Sequence, residues 1–171
     1  IDDSVEIQRR LLESVPEGEV PTFQSISFPP FFDERIERTI AEFRPDMILL
    51  DLFLTDNLES GFRVLRQLKE SKTLKKTPVV VISKYVVGPM DEYAQRAMAF
   101  GAVAALPKLP FPKLRDLSKY FVKDVSDAAS KDASQEQGQP MRITIIDNSM
   151  ETQKKILEAG LSGRLELQSI T

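Results

Sequence analysis

The stretch of sequence that decides the fold is DMILLDLFL, residues 46–54. Its apolar residues form a short, almost continuous run, which is typical of a strand buried on both faces in a parallel sheet. Burying an unpaired carboxylate inside such a run is costly, so Asp51 marks the point where the strand leaves the core. Ligands of open α/β sheets gather at the carboxyl ends of the strands. We therefore expect a functional site beside Asp51.

The rest of the chain alternates between predicted helices and predicted strands. Apolar residues at helical spacing predict five helices, at 4–14, 36–43, 61–68, 91–100 and 112–121. Alternating or β-branched apolar runs predict strands at 20–28, 46–52, 77–83 and 103–106. Strands and helices in this rhythm indicate βαβ units and therefore a parallel sheet.

The composition of the chain changes after residue 121. Residues 122–140 are rich in Ser, Asp, Lys, Ala and Gln without an apolar period, which predicts a polar linker. A new strand at 142–146 follows, then a helix and a strand near 165–170. The sequence IDNS at 146–149 repeats IDDS at 1–4, and QSIT at 168–171 resembles QSIS at 24–27. Two matches in order predict a duplication, with one domain at 1–121 and the first strand–helix–strand of a second repeat at 141–171.

Composition excludes several functions. The 171 residues carry a net charge of −3, which gives no overall attraction to nucleic acid or to an anionic membrane. No apolar run reaches the roughly 20 residues that span a bilayer. The chain contains no Cys and no His, which excludes thiolate chemistry, His-based triads and imidazole metal ligands. We expect a cytoplasmic protein that binds neither nucleic acid nor membrane.

Four polar features come at the carboxyl ends of predicted strands: Asp2-Asp3, Asp51, Ser83 and Lys108. Since these ends share one edge of a parallel sheet, three carboxylates, a hydroxyl and an ammonium can converge there. Three carboxylates repel one another unless a cation lies among them, and oxygen ligands favour Mg²⁺. Lys108 offers a fixed positive charge to a phosphoryl oxygen, and Ser83 offers a hydrogen bond. The set suits transfer of a phosphoryl group to a carboxylate.

These motifs, in this order, resemble a response-regulator receiver domain of two-component signalling over residues 1–121. Asp2-Asp3 match the acidic pair after the first strand, Asp51 the phosphoacceptor, Ser83 the hydroxyl position and Lys108 the lysine of the last strand. The resemblance implies an α/β fold: a doubly wound, five-stranded parallel sheet of the flavodoxin-like receiver type, with strand order 2-1-3-4-5.

The resemblance also implies a function. Asp2, Asp3, Asp51 and the backbone carbonyl of Phe53 would hold Mg²⁺. Asp51 would take a phosphoryl group from a histidine kinase or phosphotransfer protein and relay the signal by a conformational change, with Lys108 and Ser83 assisting. Such a module is a regulatory domain in a phosphorelay rather than an enzyme, and catalyses only its own phosphorylation and dephosphorylation.

Departures from the family pattern keep two alternatives open. Lys84 is bulky where a small residue is usual, Ala105 stands in place of a switch aromatic, and Leu109 separates Lys108 from the proline that normally follows. These features keep open the alternative of a pseudo-receiver, a docking or dimerisation module without phosphorylation. A phosphohydrolase using an aspartyl-phosphate is the weakest alternative, because such enzymes tend to carry an Asp where this chain has Phe53.

The implied strand order raises a question about the centre of the sheet. The first strand lies there, yet only Ile1 precedes Asp2. Without that strand, the strand at 20–28 could not pair with the strand at 46–52. Residues 142–146, the equivalent strand of the repeat, are the candidate to fill the slot, within one chain or by a swap in a homodimer. The plainer alternative is two tandem receivers, with 141–171 folded apart from the first sheet.

Overall fold

The computed structural model describes residues 22–27, 32–54, 57–108, 112, 117, 119–120 and 142–147. Its five strands are β1 Thr22–Ser27, β2 Met47–Leu50, β3 Val79–Ser83, β4 Ala104–Pro107 and β5 Arg142–Asp147. Its helices are α1 Glu34–Phe43, α2 Glu59–Glu70 and α3 Glu92–Ala99. The strands form one sheet in the order β1-β5-β2-β3-β4, and all four pairings are parallel.

The last of the described strands lies in the middle of the sheet. β5 pairs with β1 from Thr22↔Arg142 to Ser27↔Asp147, and with β2 from Met47↔Ile143 to Leu50↔Ile146. When β5 is counted as the first strand, the order becomes 2-1-3-4-5, which is the flavodoxin-like order. The predicted fold class is therefore confirmed, and residues 142–146 occupy the slot between the strands at 20–28 and 46–52, as predicted.

Some of the other sequence predictions can be compared with the structure, and the rest fall outside the described residues. The observed bounds of β1 to β4 and of the three helices lie within two residues of the predicted ones. The predicted helix at 4–14, the linker at 122–140 and the strand near 165–170 lie outside the described residues. Of the predicted helix at 112–121, only residues 112, 117, 119 and 120 are described. The division of the chain into a domain, a linker and a second repeat stays a prediction.

Local chemistry sets the ends of α1 and the start of α3. The Asp33 carboxylate accepts hydrogen bonds from the backbone N–H groups of Arg35 and Ile36, both at 3.0 Å, and so caps α1. Arg44 ends this helix in a left-handed conformation with φ of 51°. Asp91 caps α3 through a hydrogen bond of 2.8 Å from the N–H of Tyr93. The starts of α1 and α3 are therefore each fixed by an aspartate one residue before the helix.

The core consists of two layers, one on each face of the sheet. Residues from all three helices pack with one set of strand side chains, with Ile36, Phe62 and Ala94 among them. The opposite set of strand side chains packs with Leu117, which is fully buried. β2 and β3 are buried at every position, as expected for strands covered on both faces. Because both faces of β2 are covered, the strand opens toward solvent only at its carboxyl end, which Asp51 follows.

Three contacts fix β5 in its slot besides the ladder hydrogen bonds. At its start, the N–H of Arg142 donates to the Asp46 carboxylate at 2.8 Å, and the N–H of Asp46 donates to the Arg142 carbonyl at 2.7 Å. In its middle, the Thr144 hydroxyl donates to the side-chain oxygen of Gln24 at 2.9 Å, and both residues are buried. At its end, Asp147 pairs with Lys108. Each contact favours the observed register over a shifted one.

We predict that Gly61 holds the loop after Asp51 in place. Its N–H donates to the Leu52 carbonyl at 3.0 Å, and a Cβ at this position would overlap the backbone of Leu52. Gly61→Ala should therefore lower the free energy of unfolding in urea by about 1–3 kcal/mol, the usual cost of overpacking. Gly88→Ala is the control, since a Cβ there meets nothing within 4 Å. Equal stability of the two variants would contradict the prediction.

Candidate functional site

Four side chains meet at the carboxyl edge of the sheet. Asp51 follows β2, Ser83 ends β3, Lys108 follows β4 and Asp147 ends β5. Because Leu50 pairs with Ile146, the next residues, Asp51 and Asp147, stand at the same level on neighbouring strands. The N–H of Asp51 donates to the Ile146 carbonyl at 3.0 Å, which continues the ladder one step beyond β2. The edge thus places two carboxylates side by side.

Lys108 bridges the two carboxylates. Its Nζ lies 3.0 Å from Oδ2 of Asp51 and 2.9 Å from Oδ2 of Asp147. The three side chains are only 23%, 10% and 15% exposed, in the order Lys108, Asp51, Asp147. Charges so placed are screened by salt much less than surface charges. The ammonium therefore offsets most of the repulsion between the two acidic groups.

The surroundings of Lys108 also set its protonation. Burial by itself lowers the pKa of an ammonium, but here the charges of Asp147 and Asp51 outweigh it and hold the pKa of Lys108 above its ordinary value. Lys108 is therefore a fixed cation at neutral pH. A fixed cation between two carboxylates is suited to accept a further anionic group at the same edge.

Ser83 supports Lys108 through the backbone. Its carbonyl accepts the N–H of Lys108 at 3.0 Å, which holds the lysine at the end of β4. The Ser83 side chain is fully buried, and its hydroxyl oxygen accepts the N–H of Tyr85 at 3.4 Å. The hydroxyl proton is not used in that contact. Ser83 thus brings a donor to the strand end next to Asp51.

An aromatic pair forms one rim of the site. The ring of Phe53 lies 5.6 Å from that of Tyr85, and the Lys84 Nζ is 5.3 Å and 5.1 Å from the two ring centroids. The N–H of Phe53 donates to Oδ1 of Asp51 at 3.1 Å, so the loop also orients the carboxylate. The bulky residue at position 84 therefore lies over the rings, held by cation–π attraction.

The structure brings together four of the six residues that the sequence predicted for the site. Asp51, Ser83, Lys108 and Phe53 lie at one edge, whereas Asp2 and Asp3 are outside the described residues. Leu109 is outside them as well, and Ala105 is half-buried in β4 against the core. The roles predicted for the site residues stay predictions.

Asp147 is the site residue that the sequence prediction missed. Two signals could have found it: the repeat of IDDS at 1–4 as IDNS at 146–149, and the prediction that 142–146 fills the central slot. Combined, they place Asp147 at the position that the receiver pattern gives to the acidic pair. Neither signal alone places Asp147 in the site.

The described part of the chain contains no group of three or more His, Cys, Asp or Glu side chains arranged to hold a metal ion. It does offer two carboxylates, Asp51 and Asp147, next to backbone oxygens. Mg²⁺ in proteins commonly takes one or two carboxylates and keeps several waters. The donor set at this edge therefore fits Mg²⁺.

No family model matches the sequence, and no curated protein matches it. The solved structures to which the chain is similar include response regulators and a receiver domain. One is the signal receiver domain of the DNA-binding response regulator merR from Colwellia psychrerythraea 34H, 16% identical, covering 66% of this chain and 100% of that one with a TM-score of 0.41.

Two further structures are similar to the chain. The Mn²⁺-bound form of the response regulator Rcp1 is 19% identical, with 58% of this chain and 88% of that chain covered and a TM-score of 0.34. A response regulator from Burkholderia multivorans is 17% identical, with 67% and 98% covered and a TM-score of 0.38. The fold assignment rests on the strand order and pairing described above. Among the described helices, none is long and apolar enough to cross a membrane.

We predict a pH dependence for the stabilisation that Lys108 provides. Lys108→Met should lower the free energy of unfolding at pH 7 by about 1–3 kcal/mol, because two carboxylates lose their charged partner. The folded-state pKa is raised, so this contribution is fully present below the ordinary value of 10.5 and is lost as pH rises through the folded pKa.

Urea unfolding from pH 7 to 11 checks the Lys108 prediction. The difference in the free energy of unfolding between the unaltered chain and Lys108→Met should stay constant up to about pH 10 and then shrink. Lys76→Met, at an exposed lysine, is the control and should show little difference at any pH. A difference between the chain and Lys108→Met that grows above pH 10 would contradict the sign of the effect.

Proposed function

We propose that this chain is a phosphoacceptor signalling module whose Asp51 takes a phosphoryl group from the phosphohistidine of a histidine kinase or phosphotransfer protein. The observation that carries the proposal is the Lys108 bridge. A buried-strand carboxylate, a second carboxylate and a fixed ammonium lie within 3.0 Å contacts at one sheet edge. This is the arrangement expected where a dianionic group is received by a carboxylate.

The chemistry assigns a task to each side chain. A carboxylate oxygen of Asp51 forms a bond to phosphorus while the bond from phosphorus to the donor nitrogen breaks, which leaves an acyl phosphate on Asp51. The Lys108 ammonium pairs with a phosphoryl oxygen in exchange for its present contact to Asp51. The Ser83 hydroxyl donates to another phosphoryl oxygen. Positioning and charge neutralisation carry such a transfer.

Mg²⁺ is the proposed cofactor. The Asp51 and Asp147 carboxylates and the Phe53 carbonyl would hold it, and the predicted contribution of Asp2 and Asp3 concerns residues outside the described ranges. Bound Mg²⁺ neutralises charge on phosphoryl oxygens. Asp147 would keep its place through β5, whose register sets it level with Asp51.

The pseudo-receiver is the second candidate function. The observation that favours it is Lys84, whose Nζ lies 5.3 Å and 5.1 Å from the ring centroids of Phe53 and Tyr85, at the loop that follows Asp51. In that case the same fold would serve as a docking or dimerisation module without phosphorylation. In either case we propose a regulatory domain of the cytoplasm without a nucleic-acid or membrane partner of its own, in keeping with the net charge of −3.

Phosphorylation of Asp51 is the central prediction. Acetyl phosphate with Mg²⁺ should add one phosphoryl group to the chain, measured by intact mass, and Asp51→Asn should abolish the addition. Glu42→Gln is the matched control, because it removes one exposed carboxylate far along α1 and should leave labelling unchanged. Equal labelling of Asp51→Asn would rule out the acceptor, and an unlabelled but folded parent chain would establish the pseudo-receiver.

A second prediction concerns the ligands of Mg²⁺. Asp147→Asn should weaken Mg²⁺ binding, measured by calorimetry, by about tenfold or more, because affinity follows the ligand charge. The double variant Asp2→Asn with Asp3→Asn tests the acidic pair that the sequence resemblance implied. Loss of binding in that double variant with normal binding in Asp147→Asn would reverse our assignment. Glu42→Gln again controls for the removal of one charge.

A further inference from the structure

We propose that β5 exchanges between two copies of this chain, so that β5 of one copy fills the slot between β1 and β2 of the other. The partner is thus a second copy, and Asp147 of the partner subunit completes the acidic site. The inference goes beyond the proposed function, because strand exchange requires no phosphoryl transfer.

β5 lies out of chain order in the sheet. Strands β1 to β4 come in chain order, whereas β5 follows β4 in sequence and inserts between β1 and β2. Within the described sheet, β1 pairs with β5 alone. Along the slot, the backbone N–H and carbonyl groups of β1 and β2 pair with those of β5, and leaving such buried groups unpaired is costly. The slot is therefore a binding site for a strand.

β5 makes a complete set of contacts of its own inside the slot. Its ladder partners lie in β1 and β2, and its side-chain partners are Gln24, Asp46 and Lys108. None of these contacts involves residues 121–141, which connect β5 to the preceding chain. A β5 supplied by a second copy can therefore make the same contacts in the same register. Exchange of identical elements of this kind is a low-cost route to dimers.

Exchange would rebuild the acidic site in each of the two copies. In an exchanged dimer each Lys108 would bridge Asp51 of its own copy and Asp147 of the partner subunit. The two slots are related by a two-fold axis, so the assembly closes at two copies and does not grow into fibres. Each copy then carries a site that spans both chains.

The length of the connection at residues 121–141 sets the protein concentration at which exchange between copies competes with closure within one copy. Taken as the polar linker that its composition predicts, residues 121–141 reach about 25 Å root-mean-square. A tether of this length gives the strand an effective concentration of about a millimolar for its own slot. We therefore expect closed monomers at micromolar concentration and a substantial exchanged population near one millimolar.

Disulfide trapping tests the exchange directly, because the chain contains no Cys. Leu49 and Ile145 are register partners on β2 and β5. Chains with Leu49→Cys alone and tagged chains with Ile145→Cys alone are mixed, unfolded, refolded together and briefly oxidised. A chain with both substitutions shows whether the pair can close. Gly88→Cys, with open space around it, replaces Leu49→Cys in the control mixture.

The expected result is a disulfide between the two different chains that becomes more frequent with concentration. With an effective concentration of about a millimolar, roughly one per cent of chains should be linked at 10 µM and about a quarter at 1 mM. The control mixture should show no such rise. No linkage above the control, while the doubly substituted chain closes, would overturn the proposal.

A second pair of register partners on β2 and β5 allows the same disulfide experiment to be repeated. Met47→Cys and Ile143→Cys repeat the test if the variants at Leu49 and Ile145 do not fold. Failure of both doubly substituted chains to close would mean that β5 does not occupy the slot, and would overturn the proposal as well. Neither experiment uses phosphorylation, so its failure leaves the proposed function standing and is distinguishable from a failure of that function.

Discussion

The pairing of β5 on both of its edges is the constraint on which the rest of the structure depends. It joins β1 to β2, it contributes Ile143 to one core layer and Ile146 to the other, and it sets Asp147 level with Asp51. A one-residue slip of β5 would turn Ile143 and Ile146 onto the wrong faces and would separate Thr144 from Gln24. The core and the site are therefore fixed by the same register.

The site is a compromise between electrostatic repulsion and burial. Placing two partly buried carboxylates on adjacent strands costs free energy through their mutual repulsion. Lys108 reduces this cost by forming an ion pair with each of them. The lysine is itself held by the Ser83 carbonyl and the ladder between β3 and β4. Taken alone, these three side chains carry a single excess negative charge. A divalent cation there would shift the balance and free Lys108 for another anion.

Local sequence signals carried most of the fold. Continuous apolar runs predicted β2 and β3, apolar residues at helical spacing predicted the helices, and the placement of Asp51, Ser83 and Lys108 after strands predicted the edge where they meet. Such signals give the faces and ends of elements but not their neighbours, because parallel pairing joins residues far apart in sequence. The sequence therefore offered two locations for 142–146, inside the first sheet or apart from it, and only the structure decides between them.

The same limit explains why Asp147 was left out of the predicted site. Its local pattern is almost identical to that around Asp2, so the residues alone do not say which acidic group stands beside Asp51. That choice depends on which strand takes the centre of the sheet. It is settled by contacts between residues over a hundred positions apart, such as Thr144 with Gln24, separated by 120 positions.

That separation has a consequence for the order of events on the ribosome. β1 is synthesised long before β5, so the pairing between them forms late in translation. Structures that rely on such distant pairings fold slowly, and unpaired strand edges favour association with other chains. The described sheet is complete only after β5 has been synthesised.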